Sequence, residues 1–168
     1  MFQDFDKTAG RPAARAQWMA LLARAPLPLL EPALGAYAHG TPHWLRAPET
    51  GLMMVQARAG GTGERFNLGE VTVTRCALRL DLADTPSAVG VAYVLGRSQR
   101  QAQLAAVADA LLQDPAQHSS WEARLLAPLR AHLQQQQAQR QARAQSTKVD
   151  FFTVARESGA ADDQEDSQ

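Results

Sequence analysis

Cysteine occurs once in the 168 residues, at Cys76, so no internal disulfide can form and a reducing compartment suits the chain. No apolar run approaches the ~20 residues that a bilayer-spanning helix requires. The opening MFQDFDKTAGRPAAR carries early acids and lacks the apolar centre of a secretory signal, so the expected location is cytoplasmic and no membrane partner is expected. His39, His43, His118 and His132 are scattered and form no H-x-x-x-H or H-E-x-x-H pattern. With no three or four convergent ligands in view, no metal site is expected. A Ser/His/Asp arrangement and paired carboxylates are also missing, and no catalytic residue is assigned. Net charge is zero, yet it divides unevenly. Residues 1–156 hold all 17 basic residues against 12 acids, an excess of five, and 157–168 carry the other five acids. That excess falls far short of the basic stripe that marks nucleic-acid binding.

What is present reads as an α+β domain. Trp18, Leu21, Leu22 and Ala25 recur at helical spacing, and Pro12 suits a first turn. PLPLLEPALGAYA reads as a second helix in which Pro32 stands near the start or interrupts. Three runs then alternate with period two: GLMMVQARA, EVTVTRCALRLDL and AVGVAYVLG. Met53, Val55 and Ala57 share a face in the first. Cys76, Leu78, Leu80 and Leu82 share one in the second, and Val89, Val91, Tyr93 and Leu95 in the third. Such alternation predicts an antiparallel sheet over 50–97 with one buried and one wetter face, and HWLRAP is a candidate edge strand before it. Helices are expected to pack on this sheet from both flanks.

Leu104, Val107, Ala108, Leu111 and Leu112 form a helical stripe. Ser98 with Gln101 and Ser119 with Glu122 resemble capping boxes, and Trp121, Leu125, Leu126, Leu129 and Leu133 mark a further helix with a kink at Pro128. Residues 134–145 contain seven glutamines and no large apolar side chain, which reads as a solvated helical extension. The expected organisation is a flexible 1–11, a core at 12–133, an extension with a docking segment at 134–156, and a disordered acidic tail at 157–168.

The stretch RAGGTGERFNLGEVTVTR concentrates the candidate binding residues. Gly60, Gly61 and Gly63 could expose backbone N–H groups to an anion. No Gly-Lys-Ser/Thr ending follows, so this is not a P-loop, and a hairpin turn with positive φ is favoured. Phe66 and Leu68 are expected to anchor it in the core. Arg58, Arg65, Arg75 and Arg97 are anion-binding or interface candidates, because guanidinium groups suit both phosphate and protein surfaces. After the polar gap, Val149, Phe151 and Phe152 form an apolar cluster expected to dock on a partner.

ARAQWMALLA, RAPETGLMMVQARAGGTGERFNLGEVTVTRCALRL, YVLGR and KVDFFTVAR together resemble the PhnG family, the small subunits of the bacterial carbon–phosphorus lyase core complex, from about Arg15 to Arg156. The resemblance implies PhnH-, PhnI- and PhnJ-like partners, with a PhnL-like subunit joining functionally. It implies a role, mainly structural, in forming α-D-ribose 1-methylphosphonate 5-triphosphate from ATP and methylphosphonate. ATP would be a substrate of the complex and the iron–sulfur site would belong to a partner, leaving no cofactor for this chain. The isolated chain would be inactive. The rival reading is a free-standing module that binds an anionic small molecule through the glycine-rich loop.

Overall fold

The computed structural model describes residues 13–39, 42–82 and 85–149. The chain divides into two units, one up to Gln134 and one from Gln135. In the first, helices α1 (Ala13–Leu22) and α2 (Leu27–His39) precede strands β1 (His43–Arg58), β2 (Arg65–Leu82) and β3 (Thr85–Leu95). Helices α3 (Gln99–Leu112), α4 (His118–Trp121) and α5 (Ala127–Ser146) follow, with a π-helical turn at Glu122–Leu126 between the last two. Both strand pairings are antiparallel and the order is β1-β2-β3. The α+β reading with an antiparallel sheet is what the molecule has.

Helix α3 is the hub. Alanines at 102, 105, 106, 108 and 110 make it slim, so it is buried from Leu104 to Leu112 on every side rather than along one stripe. One side meets Cys76, Leu78, Ala92 and Val94 of the sheet, and α1, α2 and α4 pack around the others. Gly90 shows how close the contact is: a Cβ there would sit 1.9 Å from the Ala106 carbonyl oxygen. The N-terminal helix pair and the C-terminal helices flank the sheet in the chain as the sequence suggested, and α1, α2 and α4 all meet α3.

Buried polar groups tie these layers together. The fully buried Asp109 carboxylate accepts from Arg15 Nη2 at 2.7 Å, Arg15 Nε at 3.1 Å, Trp18 Nε1 at 2.9 Å and the Val91 amide at 3.0 Å. Four donors meet the demand of a desolvated carboxylate. Cys76 donates to the Ala102 carbonyl at 3.2 Å, and burial pushes its thiol up to about 12. Ser98 caps α3 by accepting from the Gln101 amide. The Gln101 side chain does not close the capping box; it donates to the Ala25 carbonyl at 2.7 Å and so anchors the α1–α2 turn to α3.

Several local expectations are corrected. HWLRAP is no separate edge strand but the start of the 16-residue β1. Ser119 lies inside α4, whose N-cap is Gln117, and Glu122 pairs with Arg130 instead of capping. The break near Pro128 takes the form of the π turn, where the Ala127 amide reaches back to the Glu122 carbonyl; proline has no N–H with which to continue the α-helical ladder. Pro32 is accommodated inside α2.

Candidate functional site

Residues directly opposite on antiparallel strands carry side chains on the same face. Thr74 faces Val94, Cys76 faces Ala92 and Leu78 faces Gly90, which defines the face under α3. Val73 opposite Leu95, Arg75 opposite Tyr93 and Val71 opposite Met53 define the other. Val89, Val91, Tyr93 and Leu95 thus do share a face, but it is the outer one; Tyr93 and Leu95 are 48% and 69% exposed. The period was readable and the sense was not, because small residues (Gly90, Ala92) were needed against α3 and left the larger ones outside. Val73 is buried on this outer face yet stands apart from the main core.

Toward the β1–β2 turn the hairpin is solvent-exposed on both faces. Leu52 and Met54 continue the α3-side face, and Met53, Val55 and Phe66 continue the outer one; Leu52, Met53, Met54, Phe66 and Leu68 are all exposed. Phe66 and Leu68 therefore do not anchor the loop in the core. A one-residue bulge in β2, where Val55 pairs with Gly69 and Gln56 with Asn67, shifts the register there. Gly69 takes a φ of 153° that disfavours a side chain.

The glycines make the turn. Gly60 and Gly61 have φ of 58° and 83°, and a Cβ on Gly63 would lie 2.7 Å from the Ala59 carbonyl oxygen. The amides of Thr62 and Gly63 both point to that oxygen, and the Ala59 amide reaches the Glu64 carbonyl. The amides of Ala59, Thr62 and Gly63 are thus spent within the turn.

The arginine candidates separate. Arg58 and Arg65 stand directly opposite each other at the hairpin end, where Arg58 donates to the Gly63 carbonyl at 3.3 Å. Arg75 lies ten residues along β2, about 30 Å away at ~3.3 Å per residue. There Glu49 accepts from Arg75 at 2.7 Å and from Arg46 at 2.6 Å, and those hydrogen bonds, Arg46's foremost, hold its carboxyl below the usual value. Arg97 follows Gly96 in the β3–α3 turn and is exposed. In the second unit Val149 is exposed, and Phe151 and Phe152 lie outside the described residues.

An open hollow of about 470 Å³ is lined in part by Arg15, Trp18, Gln113 and His118. Its polar groups are already engaged: Arg15 and Trp18 with Asp109, Gln113 with the Val89 carbonyl, and His118 with the Leu112 carbonyl at 3.0 Å. Among the described residues no group of three or more His, Cys, Asp or Glu could hold a metal, and no helix is long and apolar enough to cross a membrane. The sheet's outer face and its exposed hairpin are thus the surface with unspent chemistry. Sequence reasoning missed Leu52, Met54 and the Arg15–Trp18–Asp109 cluster; the signal for the last was a lone acid inside the apolar AAVADALL.

Residues 13–157 match the family model described as phosphonate metabolism protein PhnG. The chain is 41% identical over 147 residues to the "Alpha-D-ribose 1-methylphosphonate 5-triphosphate synthase subunit PhnG" of Rhizobium meliloti (strain 1021), covering 86% of this chain and 90% of the relative. The chain belongs to the PhnG family.

Proposed function

We propose that this chain is the PhnG subunit of an α-D-ribose 1-methylphosphonate 5-triphosphate synthase in organic phosphonate catabolism. It works in a core with PhnH-, PhnI- and PhnJ-like subunits and functionally with a PhnL-like one. ATP and methylphosphonate are substrates of the complex: the phosphonate takes the place of adenine at the ribose, and the later radical cleavage belongs to the iron–sulfur subunit. The role of this chain is accessory, forming assembly surface rather than supplying a reacting group. The observation that carries this reading is the outer sheet face with its two-sided exposed hairpin, in a chain so similar to a named synthase subunit. Large exposed apolar patches mark contacts.

The test is co-expression with the cognate core subunits. The chain should co-elute in one complex that releases adenine and forms the ribose phosphonate, and omitting it should abolish that product. Full product formation without it would overturn the proposal. Val149, Phe151 and Phe152 are proposed as a second docking element. Replacing both phenylalanines with alanine should weaken assembly while leaving the isolated chain's stability unchanged. A loss of about 3–5 kcal/mol in the isolated chain would instead place them in its own core.

A further inference from the structure

The two borders of the sheet are treated differently. On β3, the Val91 amide is taken by Asp109, and the Val89 carbonyl accepts from Gln113 at 2.8 Å and Arg15 at 3.3 Å. Side chains from α1, α3 and the α3 C-cap Gln113 thus block the middle of that edge. Along β1 no such cap occurs among the described residues. Its lower part is protected otherwise: Pro48 and register shifts between Trp44 and Glu49 spoil any pairing there. From Glu49 to Val55 the register is unbroken. The upper part of β1, from Thr50 to Ala57, has neither proline nor charge, and between the polar Thr50 and Gln56 it is apolar on both faces, with Leu52 and Met54 on one and Met53 and Val55 on the other. An open, regular, apolar edge is a template for another strand.

The turn end adds a charge requirement. Arg58 and Arg65 oppose each other directly, an arrangement that costs stability in isolation. No carboxylate among the described residues forms a salt bridge with either. A carboxylate placed between them would relieve the repulsion and satisfy two forked donors.

We propose that the β1–β2 hairpin is the docking element for another subunit of the synthase. That subunit adds an extended segment along Thr50–Ala57, covers the apolar outer face around Met53 and Phe66, and places an acidic residue at the Arg58–Arg65 end. This inference rests on the reading of the chain as a synthase subunit and names the part of it that makes the contact.

The test uses the full chain with its cognate core subunits. Met53→Glu with Phe66→Glu, and separately Arg65→Glu, change exposed side chains and should leave the melting temperature of the isolated chain unchanged. The first should weaken assembly roughly 30-fold or more, as loss of a central interface anchor does, and the second should weaken it in a salt-dependent way. In the wild-type complex, alternate amides of 50–57 should exchange far more slowly than in the free chain. Assembly of both variants at wild-type affinity, with exchange at 50–57 unchanged, would overturn the proposal while leaving subunit membership intact. Failure of the wild-type chain to assemble would remove both readings. A dimer of the free chain paired through 50–57 would overturn the proposal in favour of a second copy. Arg65→Glu that spares assembly but raises the KM for ATP would overturn the tip assignment in favour of phosphate.

Discussion

Asp109 and Val91 are joined by a 3.0 Å hydrogen bond from the strand amide to the helix carboxylate, and with it a core residue of α3 terminates the ladder of β3. The same carboxylate holds Arg15 and Trp18 of α1, so one buried acid fixes a helix, a strand and the hub between them.

Asp109→Ala should therefore be among the most damaging single changes in the chain. It strands the Arg15 guanidinium, the Trp18 indole N–H and the Val91 amide together. Breaking a buried pair by removing one partner costs about 3–5 kcal/mol, measurable by urea denaturation. A loss below about 1 kcal/mol would show that water replaces the carboxylate freely.

Two glycines in the sheet should behave oppositely. Gly90→Ala drives a Cβ into the Ala106 carbonyl and must push α3 off the strand, so about 3 kcal/mol or more of stability should be lost, at the upper end for overpacking. Gly51→Ala meets nothing within 4 Å and should stay within about 0.5 kcal/mol, as surface changes do. Thermal melting of both variants decides it.

Cys76 should resist thiol reagents in the folded protein and react at once in denaturant. Its unfolded thiol ionises near 9.0 and the folded one near 12, so between those values the unfolded chain binds fewer protons. Stability should then fall as pH rises through that window. Cys76→Ala should flatten that part of the stability profile; an unchanged profile would place the thiol in contact with water.

The Glu49 carboxyl should titrate below its usual value of 4.5, because Arg46 and Arg75 both donate to it. Whatever stability it contributes is present above the unfolded value and lost as pH falls through the folded one. Arg75→Ala should raise the midpoint seen by carbon-detected NMR; no movement would mean that Arg46 alone holds it.

Much of this fold was readable in the residues. Alternation in EVTVTRCALRLDL placed Cys76, Leu78 and Leu80 inward, and all three are buried. GGTG announced a turn requiring positive φ, which Gly60 and Gly61 adopt. Alternation states a period but not which face meets the helix, and for β3 the decision fell to Gly90, where only a missing side chain admits α3. The exposure of Phe66 and Leu68 was unreadable for another reason. Apolar alternation looks the same whether the covering layer comes from the chain itself or from elsewhere. Asp109 was hidden by its own neighbours, since a single acid in an alanine-rich helix ordinarily marks the solvent side.

Sealing one border of a sheet while leaving the other bare also limits stoichiometry. Because Asp109, Arg15 and Gln113 occupy the Val91 amide and the Val89 carbonyl of β3, a strand laid along that edge would have to displace them, which disfavours pairing β1 to β3 and running on as a fibre. Among the described residues, growth is favoured at β1. A self-paired β1 would stop at two copies, and a foreign strand there would stop at one. The carboxylate that holds the core together thus also works against an endless sheet.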